Sequence, residues 1–455
     1  MRIFSKRFFC CGFVSERLFL LEKMRIRNIF CMATLAAAHI FAGELCAADS
    51  DLLDALVRNA TLTRAEADAL KKDRATVAIL RPETKKLRIG GRMQLQYEWA
   101  NSELFAGAGS PQKGNGSNNF LLRRVFVEAF ANLGGGWDAQ VGLDLARSRL
   151  NSYFVDTYLS KSLDYEYLSG RLCVGYMKPG FCHEDMISSF SLDAIERSAA
   201  TSYFTLSPNG RRLGIGNRYA GVRWNGKVKQ VEGLSYTLAV TNSFQLSPVH
   251  EEELEYNWSE NRLAYWASAH YERKFENAKL KFGVYTMYSA TANKQMGEAP
   301  AASVYSINPY IAGRVGNLYF WTEYMASVVA DGRSVAGGGY EQASPYGINF
   351  SIEYRFDIGE QGQLGPTFRY SWLDTDGRGL QISDAVRNAG NVGGLYDTAN
   401  DFYAGLNWYI IGDDLKVQLG YGYTQFSGWA GENSGRAGSH VGEAHSVRLQ
   451  MQMKF

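Results

Sequence analysis

Residues 87–99 read LRIGGRMQLQYEW, and apolar and polar positions take turns along all of it. Leu87, Ile89, Met93, Leu95, Tyr97 and Trp99 share one side with Gly91, and Arg88, Arg92, Gln94, Gln96 and Glu98 take the other. Side chains alternate across a strand, so this segment has one oily and one hydrophilic surface. It is about twice the usual strand length of ~5–6 residues. The pattern returns at Trp137–Leu145, Leu234–Val240, Leu263–Tyr271 and Leu415–Tyr423. It also ends the chain: VRLQMQMKF sets Val447, Leu449, Met451, Met453 and Phe455 against Arg448, Gln450, Gln452 and Lys454.

About sixteen such segments can be marked, from 87–99 and 120–133 through 152–160, 166–177 and 212–225 to 443–455; the alternation in 212–225 is poor. Their connections are sorted. Gly134–Gly136, 161–165, Glu276–Asn277, Arg314–Gly316 and Asp413–Asp414 are short, whereas 100–119, 178–211, 244–261, 290–302, 328–345, 375–401 and 427–442 are long. Barrels of the outer membrane have short turns on one side and long loops on the other. The expected fold is therefore all-β, a transmembrane antiparallel β-barrel of about 16 strands with a short N-terminal helical segment. An unpaired backbone edge in hydrocarbon costs several kcal/mol per group, so the last strand must close on the first. Tyr97, Trp99, Trp137, Trp372 and Trp408 suit the aromatic girdles of such a wall.

Composition agrees. The chain has 455 residues, 46% hydrophobic, yet no apolar run after residue 48 reaches the roughly 20 residues of a membrane helix. Residues 1–48 are expected to be an upstream extension and signal peptide: Arg25 and Arg27 precede the apolar run Ile29–Gly43, and Cys46-Ala47-Ala48 offers a cleavage site. Residues 49–86 form a helical periplasmic or linker segment, with Leu52, Leu53, Leu56 and Val57 at helical spacing and Thr63 and Glu66 as a capping box. Residues 87–455 form the barrel. The first 48 residues hold seven basic and three acidic side chains, so the net +2 of the whole becomes −2 without them, and no nucleic-acid footprint remains. Four of the six cysteines also fall there; Cys173 and Cys182 are expected to stay unpaired.

An Arg or Lys facing lipid at midplane costs ~2–4 kcal/mol, so charged wall residues must face the lumen. That assigns Arg88, Arg92, Arg124, Asp144, Asp156, Lys178, Arg369 and Arg448 to the pore lining, with Lys454. Such rings of charge choose ion sign. The competing explanation for any one of them is an ion pair across the wall. The third long loop, 178–211, is the constriction candidate; it carries Glu184 and Asp185, and Glu196 with Arg197 as a pair anchoring it to the wall. His183, His250, His270, His440 and His445 are scattered, without metal-ligand spacing, and no cofactor is expected.

Several motifs in order resemble the phosphate-selective porin O and P family: FLLRRVFVEAF at 120–130, GYMKPGFCHEDMISSFSLDAIERS at 175–198, LGPTFRYSWLDTD at 364–376, GLNWYI at 405–410 and the closing VRLQMQMKF. The resemblance covers most of 87–455. It implies a 16-stranded homotrimer in the outer membrane of a Gram-negative-type bacterium, in contact with outer-membrane lipid. Its third loop folds into the lumen, and small solutes and ions diffuse through, inorganic anions such as phosphate among them. Phe126 stands where the family often has another arginine, and Asp185 where phosphate-binding relatives carry lysine. Two other classes compete: a barrel enzyme using His183, Glu184 and Asp185 at the outer rim, and a plugged surface barrel acting as adhesin or structural protein.

Overall fold

The computed structural model describes residues 86–105, 112–146, 154–206, 209, 211–243, 263–293, 302–335, 339–430 and 441–455. The expected leader, the expected helical segment apart from Lys86, His250 and His440 lie outside the described residues. Sixteen strands form the wall. The first eight are β1 (Lys86–Phe105), β2 (Ser117–Gly134), β3 (Trp137–Asp144), β4 (Thr157–Asp164), β5 (Leu168–Met177), β6 (Tyr219–Val228), β7 (Leu234–Asn242) and β8 (Leu263–Lys274). The rest are β9 (Ala278–Asn293), β10 (Ala302–Val315), β11 (Leu318–Val335), β12 (Tyr346–Tyr354), β13 (Gln363–Asp374), β14 (Thr398–Asp413), β15 (Leu415–Ser427) and β16 (Val441–Lys454). Each pairs antiparallel with its neighbours in sequence, and β16 pairs with β1, so the sheet closes as a 16-strand barrel.

The alternation runs inside out relative to a soluble protein. On β16, Leu449 and Met451 are 44% and 50% exposed, while Gln450 and Gln452 are each 1% exposed. The apolar set faces outward, where lipid belongs, and the polar set faces inward. Along the closing seam the inner residues pair: Gln94 Nε2 donates to Gln452 Oε1 at 3.2 Å, Gln96 Nε2 to Gln450 Oε1 at 3.3 Å, and Arg448 Nε to Glu98 Oε2 at 2.8 Å. The terminal Phe455 exchanges two backbone hydrogen bonds with Gly91, each 2.9 Å. Its ring lies over Gly91, where any Cβ would collide with it.

Short turns gather on the rim that holds both ends of the wall. One of them, Gly134-Gly135-Gly136, has three successive positive φ angles of 80°, 57° and 79°, which only glycine adopts at little cost. Long connections lie on the opposite rim. Two of them fold back inward: residues 178–218, with helices α1 (His183–Met186) and α2 (Ala199–Thr205), and residues 375–397, with helix α3 (Ile382–Ala385). They supply Phe181, Tyr203, Phe204, Leu380 and Ile382 to an apolar cluster inside the wall.

Two sequence expectations shift. The strand expected at 212–225 begins only at Tyr219. Leu213 N donates to Tyr203 O and Ile215 N to Phe204 O, so this stretch hydrogen-bonds to α2 instead of the wall, and both side chains are buried in the apolar cluster. The segment 152–160 likewise starts late, at Thr157.

Candidate pore constriction

A network of buried polar groups fixes the third loop to the inner wall. Glu323 on β11 accepts from His183 N at 2.7 Å and Glu184 N at 3.3 Å, the free amides at the start of α1. Asn308 and Asn349 each donate an amide to it at 2.9 Å. Ser198 caps α2, accepting from Thr201 N, and donates its own N–H and hydroxyl to Glu184. Arg369 on β13 donates to Glu184 Oε1 at 2.8 Å, to Glu196 O at 2.6 Å and to Asp401 Oδ2 at 3.3 Å. Farther along, Lys416 Nζ donates to the Phe190 and Leu192 carbonyls. Buried charges are costly unless paired and hydrogen-bonded; Glu184 and Asp401 are paired with Arg369, and Glu323 is held by neutral donors alone among the described residues.

A cavity of about 200 Å³ opens between the two inward loops and the wall. Seven guanidinium groups line it: Arg123, Arg124, Arg369 and Arg448 from the wall, and Arg197, Arg212 and Arg387 from the loops. Three carboxylates, Glu196, Asp384 and Asp401, stand against them. Arg123 grips Glu196 with two hydrogen bonds of 2.7 and 2.9 Å. Arg387 bridges Glu98 at 2.6 Å and Glu196 at 3.0 Å. Burial alone would raise the Glu196 pKa, but Arg123 and Arg387 hold it well below the usual carboxylate range. Arg211, at 2.6 Å, takes most of Asp384, leaving Arg212 4.0 Å away. Arg124 is 9% exposed and donates to the neutral Gln94 Oε1 at 2.7 Å; among the described residues it forms an ion pair with no carboxylate.

The other expected lining residues sit as follows. Arg88 is exposed near the short-turn rim, over the Phe130 ring at 4.8 Å. Arg92 pairs with Glu128 at 2.7 Å and lies between the rings of Phe126 and Phe190. Asp144 is buried and accepts from the backbone of Val125 and Ala146. Asp156 pairs with Arg218 at 2.9 Å. Asp185 holds both Lys178 at 2.6 Å and Arg197 at 2.9 Å. Of the expected set, the cavity thus gathers Arg124, Glu196, Arg197, Arg369 and Arg448; Arg88, Arg92, Asp144, Asp156, Lys178, Glu184 and Asp185 lie outside its lining.

Of the expected anchoring pair, Glu196 reaches the wall at Arg123, while Arg197 stays within the loop. Consecutive side chains on non-helical backbone diverge, and here Glu196 turns to Arg123 and Arg387 while Arg197 turns to Asp185. His183, Glu184 and Asp185 do not converge either. The His183 ring stacks on Tyr310 at 4.2 Å, and burial, with Lys281 adding, lowers its pKa to about 3. Sequence reasoning missed Arg123, Arg212 and Arg387. Arg123 had a signal: the Arg-Arg doublet breaks the alternation, and the register between β1 and β2 slips at Gln94/Leu95, so both arginines line the cavity.

The family described as phosphate-selective porin O and P matches residues 88–455. No curated protein matches. Among solved structures, the anion-selective porin of Comamonas acidovorans aligns at 10% identity with a TM-score of 0.48, covering 82% of this chain and 100% of that one. OmpF of Salmonella typhi, solved with daunomycin, aligns at 15% identity and 0.47, covering 80% and 98%. The outer membrane channel DcaP of Acinetobacter baumannii aligns at 12% identity and 0.47, covering 82% and 99%.

Proposed function

The chain belongs to the phosphate-selective porin O and P family, an outer-membrane channel family, and from that premise we propose that it passes small anions in preference to cations through the arginine-lined cavity. The observation that carries the preference is the charge of that lining, seven guanidinium groups against three carboxylates. Opposed charges at a narrow point set the sign of the ion that passes. Arginine also suits oxyanions, because its fork matches two oxygens at once. The third loop, held by Glu323 and Arg369, and the loop 375–397, held by Arg387, are the two walls that narrow the lumen. The expected lining residues that lie outside the cavity, Arg88, Arg92 and Lys178 among them, serve as a basic approach to it or as wall ion pairs. The protein works as a homotrimer, as the family resemblance implies. Catalysis is disfavoured by the dispersal of His183, Glu184 and Asp185 to separate partners.

Proteoliposomes test the channel itself. With the refolded protein they swell in isotonic arabinose faster than protein-free liposomes. Swelling no faster than the protein-free control contradicts an open channel.

A further inference from the structure

We propose that the same cavity is a binding seat for small organic carboxylates with an apolar body, the carboxylate docking on Arg124. The proposal rests on the channel reading above and names the ligand class of its constriction. Arg124 is the starting point. It is nine-tenths buried, its one side-chain hydrogen bond among the described residues goes to a neutral amide, and it feels the charges of Arg123, Arg197 and Arg387 as well as that of Glu196, a carboxylate already held by Arg123 and Arg387. A buried cation with no carboxylate of its own is unfavourable, so the position favours an incoming anion.

The wider ledger agrees. Adding Glu98, Glu184 and Asp185 to the three lining carboxylates, and Arg211 and Lys178 to the seven arginines, leaves nine cations against six carboxylates. Asp144, which acts on Arg123, and Asp193, which acts on Arg369, reduce the excess of three among these groups to one positive charge.

The class of anion follows from what else lines the space. No lysine does. Guanidinium groups bind carboxylates and phosphates alike bidentately, where an ammonium offers only a point charge, so the apolar part of the lining separates the two. Leu206, Ala385, Val386 and Tyr403 contribute to the same lining. A bare inorganic oxyanion leaves that part wet, whereas an organic body covers it and gains from the burial. A volume of about 200 Å³ also leaves room beyond a single small ion.

The test uses the full chain in planar bilayers, with benzoate, inorganic phosphate and uncharged benzamide as blockers of the chloride current. Half-block by benzoate is expected at a concentration at least tenfold below that for phosphate, with no block by benzamide. R124Q raises the benzoate value tenfold or more. V386N raises it severalfold and leaves the phosphate value alone. Calorimetric titration of the detergent-solubilised protein with benzoate, wild type against R124Q, reads the same seat without any current. An absence of current therefore overturns the channel reading while the titration still decides this one. Phosphate blocking as well as benzoate, or equal benzoate binding by wild type and R124Q, overturns the proposal.

Discussion

Arg123 and Arg124 are neighbours, and in a regular strand neighbours face opposite sides of the wall. The bulge at this point lets both line the cavity, one on Glu196 and the other on Gln94. Period-two reading therefore found Arg124, Arg369 and Arg448 but skipped Arg123, since the rule it used fails at a bulge. The competing explanation offered for each charge, a pair across the wall, also holds widely: Arg369, Arg448 and Arg92 all have carboxylate partners, and Arg124 does not. R124A should lower the chloride-to-potassium permeability ratio on the order of threefold, whereas D185N, which frees charge on Lys178 and Arg197, should raise it. Unchanged ratios in both variants would place the constriction elsewhere. Lys178 adds a pH signature. Burial, against the opposing pull of Asp185, lowers its pKa to about 8, so it is protonated below that pH and neutral above it. Anion preference should fall as pH rises from 7 to 9, and K178M should abolish that change; the same change persisting in K178M would assign it to another group.

At the scale of elements, the strands were legible and the inward loops only half so. The strands announced themselves because one face must satisfy lipid, which makes the period strict. The third loop was found by length and motif, but its fixings were not, since Glu323, Asn308 and Asn349 on the wall are far from it in sequence. The stretch 375–397 read as an ordinary long connection; its Leu380, Ile382 and Val386 were the available sign that it packs inward. Two measurements address these loops. R369A strips the cation from Glu184 and Asp401, both buried, and removing one partner of a buried pair costs about 3–5 kcal/mol. Urea unfolding in detergent should show a loss of that size, and a loss under 1 kcal/mol would mean that the network is slack. Deleting residues 381–392 should raise single-channel conductance, because it removes Arg387 and α3 from the cavity; unchanged conductance would show that this loop does not narrow the path.

For the whole molecule, closure explains why the chain ends as it does. The final strand supplies Gln452, Gln450 and Arg448 to the inner seam, and Phe455 lays its ring on the outer face at Gly91. G91V should push that ring away and slow the appearance of heat-resistant folded protein on refolding into detergent; an unchanged rate would deny the contact any part in closure. The alternation of the strands thus reflects an oily exterior and a polar inner face, and what a sequence period cannot convey is which inward charges lack an ion-pair partner. The most direct test of that interior is the zero-current potential of the purified protein in a planar bilayer under a tenfold potassium chloride gradient. The potential should take the sign of chloride carrying the current. A potential of potassium sign would contradict the arginine-lined pathway.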